Sequence, residues 1–162
     1  MIYPRQIVYS LQALGYLASQ PENTCVKVRE LATELGIPRH FLGKILTELA
    51  KKRLVSSNKG PKGGFYLSVK PSGITIYRLL ASLGGLEKLE ERCVMGFGNC
   101  TKGTPCALHE LWESFKENAV SKTQKLTLND FSRSFAGKLQ LFKSPMFMMK
   151  EEIEESPASR RY

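Results

Sequence analysis

The chain has 162 residues, 42% of them hydrophobic, and a formal net charge of +9. That length and apolar content suit one domain, or a small domain with an appendage, folding on its own core without disulfide staples. No run approaches the roughly 20 apolar residues of a membrane span, and the start "MIYPRQIVYS" lacks a signal-peptide pattern, so the expected compartment is the reducing cytoplasm, with no membrane partner.

Residues 6–19, "QIVYSLQALGYLAS", place Ile7, Leu11, Leu14 and Ala18 at helical spacing. "PENT" reads as a turn, and "VRELATELG" as a short helix with Val28, Leu31, Ala32 and Leu35 inward, stopped by Gly36. "IPRHFLGKILTELAKKR" restarts a helix at Pro38, with Leu42, Ile45, Leu46 and Leu49 as its buried stripe. The period then changes: "LVSS" and "FYLSV" read as strands joined by the turn-rich "NKGPKGG". "PSGITIYRLLASLGG" returns to helix and ends at Gly84 and Gly85.

A glycine-rich irregular segment follows. A long helix is then expected from Thr104 as N-cap and Pro105 as first helical residue to about Lys125, with Leu108, Leu111, Trp112, Phe115 and Ala119 on its apolar face. "TLNDFSRSF" suggests one more short helix, and the end of the chain, mixing methionines, an acidic run and prolines, reads as mobile. The expected fold is mainly α with a small β-wing, organised as a DNA-binding domain over 1–84, a cysteine-bearing sensor loop over 85–106, a long helix and short helix over 107–135, and a flexible tail over 136–162.

The charge is uneven: residues 1–70 carry eleven Lys or Arg against four Asp or Glu, a net of +7. Charge alone suits a solvated basic surface as well as a polyanion partner. The order of elements decides between them. Helix, short helix, tight turn, helix and a two-stranded ribbon is the order of a winged helix-turn-helix, whose second helix enters the DNA major groove N-terminus first. Once the buried stripe is subtracted, Arg39, His40, Gly43 and Lys44 remain near the start of that helix, with groups suited to guanine acceptors or phosphates and a glycine gap for close approach. Lys51, Lys52 and Arg53 lie at its far end, better placed for phosphate. Lys59 and Lys62 sit on a hairpin tip thin enough for the minor groove. The expected partner is double-stranded DNA, with no small-molecule substrate.

"CVMGFGNCTKGTPCALHELW", residues 93–112, gathers Cys93, Cys100, Cys106 and His109. In a reducing compartment such a group serves a metal or redox chemistry more readily than a structural disulfide. Cys106 and His109 are one helical turn apart, and Gly96, Gly98 and Gly103 let the loop fold back toward them. Three thiolates and an imidazole can hold an iron–sulfur centre, 2Fe–2S favoured over 4Fe–4S, or structural zinc. Zinc is the alternative because its usual CxxC knuckle is absent. A cluster-free thiol switch is a further alternative. A thiol enzyme is not expected, because no oxyanion loop or third orienting residue is evident. Cys25 reads as a small buried hydrophobe.

The stretch "LATELGIPRHFLGKILTELAKKRLVSSNKGPKGGFYLS" resembles the DNA-binding part of the Rrf2 family of bacterial regulators, over roughly residues 1–135, with the wing "LVSSNKGPKGGFYL" as its best marker. The cysteine segment is similar to the family's branch of iron–sulfur cluster regulators and nitric-oxide sensors. The resemblance implies a homodimer, with the helix after Cys106 crossing its partner, on a partly palindromic operator. It implies major-groove contacts at Arg39, His40, Gly43 and Lys44, with Gly43 where the cluster regulators have an operator-selecting glutamate. It implies a minor-groove contact at Lys59, where the family usually carries arginine, so narrow-groove readout is weaker here. It implies cluster ligation by Cys93, Cys100, Cys106 and His109, and repression as the output. The alternatives kept beside this reading are a cluster-free thiol-redox-sensing repressor and a zinc-stabilised DNA-binding protein.

Overall fold

A computed structural model describes residues 3–86, 93, 95, 96, 100 and 103–142. In chain order it comprises α1 (Arg5–Ser19), α2 (Val28–Leu35), α3 (Arg39–Lys51), β1 (Val55–Asn58), β2 (Gly64–Leu67), a 3-10 turn (Pro71–Gly73), α4 (Ile76–Ser82), α5 (His109–Lys125) and α6 (Leu128–Phe142). The expected mainly-α fold with a β-wing is present. No described helix is long and apolar enough to cross a membrane.

The core forms where the helical stripes meet. All four stripe residues of α3, Leu42, Ile45, Leu46 and Leu49, are buried, against Leu14 and Leu17 of α1 and Leu31 of α2 in one cluster. Each such leucine contributes roughly 1.5–3 kcal/mol by leaving water. On α1 the buried face is Ile7, Ala13, Leu14 and Leu17, while Leu11 and Ala18 are half-buried at its edge. Ser10 is also buried; its hydroxyl donates to the Gln6 carbonyl at 2.8 Å, so a polar side chain enters the core without an unpaired donor.

Helix ends follow local chemistry. Gly36 closes α2 with φ 65°, a left-handed conformation that costs glycine nothing, and the Ile37 N–H reaches the Ala32 carbonyl at 3.1 Å. Pro38 is the N-cap of α3, one position outside the expected first turn. The far end of α3 uses the same device with Arg53 (φ 57°): Leu54 N–H bonds Leu49 O at 3.0 Å and Arg53 N–H bonds Ala50 O at 2.9 Å. Thr127 caps α6. Its backbone N–H donates to Asp130 Oδ2 at 3.0 Å while the Asp130 N–H donates to Thr127 Oγ1 at 3.2 Å. The Thr127 hydroxyl also donates to Asp130 Oδ2 at 2.6 Å, and this bond first, then the Thr127 N–H, helped by nearby Arg133, holds the Asp130 carboxyl below its usual value.

β1 and β2 pair antiparallel with Val55 opposite Leu67 and Asn58 opposite Gly64. Val26, just before α2, joins the ribbon. Its N–H and C=O exchange hydrogen bonds with Phe65, each 2.8 Å. Gly64 is required there, because a Cβ would stand 2.5 Å from the Val26 carbonyl oxygen.

Two expectations for the C-terminal half are corrected. The long helix begins at His109 with Leu108 as N-cap, not at Thr104, so Cys106 precedes the helix. The last helix is not short: α6 runs to Phe142, past the expected start of a tail at 136, and lays Phe131 and Phe135 across Gly15 of α1. The expected mobile end, from 143 onward, lies outside the described residues.

Candidate nucleic-acid interface and metal centre

On α3, Arg39, His40 and Lys44 are exposed and Gly43 is half-exposed. They lie at the N-terminal end of the helix, the end that a major-groove reader presents to bases. A Cβ added at Gly43 meets nothing within 4 Å. Gly43→Ala should therefore stabilise the chain by roughly 0.5–1 kcal/mol, because alanine loses less backbone entropy in a helix interior. Chemical denaturation of the two proteins checks this.

Lys59 and Lys62 are exposed on the hairpin tip, where the Gly63 N–H closes the turn onto the Gly60 carbonyl at 2.9 Å. Two of the far-end basic residues have partners within the chain. The Lys51 ammonium pairs with Glu48 at 2.7 Å. The Lys52 ammonium donates to the Ser82 carbonyl at 2.6 Å, where its charge also suits the negative end of α4. Nothing in the sequence pattern pointed to that contact, since thirty positions separate the two residues.

The three cysteines of the segment 93–112 come together as expected. The sulfurs of Cys93, Cys100 and Cys106 all lie within 4.8 Å of one another, and Cys93 Sγ is 3.5 Å from Cys106 Sγ. Cys93 is buried and the other two are half-buried. The Cys106 N–H donates to Cys100 Sγ at 3.1 Å. The Leu108 N–H donates to Cys106 Sγ and pulls its thiol pKa down, but desolvation and the neighbouring thiols of Cys93 and Cys100 outweigh it and leave that pKa raised. His109 is half-buried, and its backbone N–H reaches the Cys106 carbonyl at 3.0 Å. Its imidazole is not among the mutually close donor atoms. Cys25 stands apart from this group, half-buried, accepting a long contact from the Asn58 amide at 3.5 Å.

After the loop, α5 buries no residue within its own chain; Leu108, Leu111 and Phe115 are exposed, Leu111 at 69%. Trp112 stacks on Phe115 with ring centres 5.2 Å apart.

A basic helix-turn-helix with its wing, joined to a thiol-bearing segment, defines a DNA-binding regulator. The profile of the Rrf2 family, described as iron-dependent transcriptional regulators, matches residues 3–134, and the chain belongs to that family. It is 37% identical over 132 residues to an Aquifex aeolicus (strain VF5) protein described as an HTH-type transcriptional regulator, covering 80% of this chain and 90% of that one. It is 27% identical over 122 residues to the HTH-type transcriptional regulator IscR of Klebsiella pneumoniae (strain 342), covering 75% of this chain and 74% of the other. Among solved structures, the Bacillus subtilis global cysteine regulator CymR shares the fold with TM-score 0.65 and 21% identity, over 81% of this chain and 95% of that one. T. potens IscR follows with TM-score 0.61 and 22% identity, over 81% and 85%. The protein is a transcriptional regulator and not an enzyme.

Proposed function

We propose that the chain is a homodimeric repressor whose affinity for a partly palindromic operator is set by an iron–sulfur cluster. One observation carries the reading: three cysteine sulfurs converge within 4.8 Å in a chain whose other half is a basic winged helix-turn-helix. The donor chemistry fits such a group, because three thiolates with N–H···S bonds from Cys106 and Leu108 suit iron. Cys93, Cys100 and Cys106 would hold it, with His109 as the fourth ligand once its side chain turns in. When bound, the cluster supplies a centre sensitive to oxidants, nitric oxide or iron–sulfur supply, 2Fe–2S being favoured. The chain's own residues do the rest. Arg39, His40, Gly43 and Lys44 meet the major groove, and Lys59 and Lys62 reach the minor groove. Linkage then requires that the loaded and empty forms hold this reader differently.

The exposed Leu111 and Phe115 of α5 support the dimer, since they are an apolar surface that a partner helix would cover. In sequence, the sensor segment 85–106 joins the reader to α5. A DNA partner supports a location in the bacterial cytoplasm. The 3.5 Å separation of Cys93 and Cys106 sulfurs also favours a second reading, a cluster-free thiol-redox repressor.

Anaerobic reconstitution with iron and sulfide, followed by gel shifts of genomic fragments, tests the cluster. Neutralising Lys59 and Lys62 tests the wing. Binding should weaken evenly across fragments, and the slope of log K against log salt should fall by about one per lysine. An unchanged slope would reject the wing assignment.

A further inference from the structure

The geometry points to a mononuclear state of the same site: with no cluster bound, Cys93, Cys100 and Cys106 of one chain hold a single tetrahedral zinc ion. The inference rests on the three-thiolate site of the sensor reading but not on a cluster forming there. Zinc bonds thiolate at about 2.3 Å, so two thiolates on one tetrahedral ion stand about 3.8 Å apart. The three sulfurs here are mutually within 4.8 Å, with Cys93 and Cys106 at 3.5 Å, near the spacing that one tetrahedral ion sets. The sequence spacing, with six and five residues between cysteines and no CxxC, disfavours zinc only if the loop cannot close. The structure brings the three sulfurs together.

The surroundings also suit an ion. Cys93 is 6% exposed, which removes one ligand from solvent. Backbone N–H groups of Cys106 and Leu108 already bond to thiol sulfurs, the outer-shell support that orients thiolate ligands. His109 lies outside the sulfur group, so the fourth position is open to water or to a turned imidazole. Binding is proton-balanced: three S–H protons leave to solvent, three Zn–S bonds form, and no electron moves. Zinc and cluster then exclude each other, so the zinc form is a distinct state of the regulator.

Cobalt(II) is the probe, added to reduced, metal-free full-length protein. The expected result is one cobalt per chain with intense tetrahedral d–d bands and a thiolate charge-transfer band. Zinc should displace it one for one, with release of about three protons on direct zinc binding in weak buffer. Cys93→Ser, Cys100→Ser and Cys106→Ser should each lose the full spectrum, while Cys25→Ser should keep it. Weak octahedral bands, or a spectrum indifferent to the three substitutions, would overturn the proposal. Folding of each variant is checked by circular dichroism, and the cobalt spectrum of wild type stands whatever the variants do. Iron and sulfide reconstitution of zinc-free protein is run separately. A colourless result there with tetrahedral cobalt here rejects the cluster reading alone, and the reverse pair rejects this inference alone.

Discussion

Cys106→Ser is expected to remove iron and sulfide from the anaerobically reconstituted protein and to leave one operator affinity under loaded and unloaded conditions. Cys106 is the hub of the loop. Its sulfur faces Cys93, its N–H bonds Cys100 Sγ, and its carbonyl accepts from His109. Serine keeps the size and the backbone bonds but replaces the soft thiolate that iron and zinc select. Because Cys106 is only half-buried, the substitution should leave the unfolding midpoint nearly unchanged. Iron per chain, visible absorption and gel shifts of both preparations read the outcome. Retained colour with wild-type iron content would remove Cys106 from the ligand set.

Leu46→Ala carries the largest expected loss of stability. Leu46 lies fully buried in α3, in the cluster that joins that helix to α1 and α2. Truncation removes the transfer energy of its side chain and leaves a cavity, together roughly 2–5 kcal/mol. For a chain of this size that lowers the melting temperature by roughly 6–12 °C for a loss near 3 kcal/mol. The variant should also bind operator less well as it warms, because the same helix carries Arg39 and Lys44 on its outer face. A thermal scan followed by circular dichroism measures the first effect. A shift under about 2 °C would mean the site repacks around the missing atoms.

The N-terminal half was legible because its periods are clean. Leu42, Ile45, Leu46 and Leu49 repeat at helical spacing and are all buried, and "NKGPKGG" could only be a hairpin tip. The convergence of three cysteines was legible from the glycines between them. The start of α5 was not. Thr104 and Pro105 make a good N-terminal signal, but the N–H groups of Cys106 and Leu108 go to sulfur, so the chain turns through the loop before the helix begins at His109. The stretch "TLNDFSRSF" marked only the first part of α6, which packs on α1 and continues through Gly137 to Phe142. The Lys52–Ser82 contact and the Val26–Phe65 bridge join residues thirty or more positions apart, and no local pattern encodes them.

That Val26–Phe65 bridge limits how a signal can reach DNA. Two 2.8 Å backbone bonds fasten the wing to the entrance of α2, and the α2–α3 turn follows directly. Wing and recognition helix therefore form one stiff reading head, and neither can swing alone without breaking those bonds. In the proposed sensor, a change at the cysteine loop would turn the head as a whole. In the proposed dimer on a two-fold operator, its effect would be a change in the distance and phase between two unchanged heads. Half-site spacing, more than the base sequence of either half-site, would then be what loaded and empty forms tell apart.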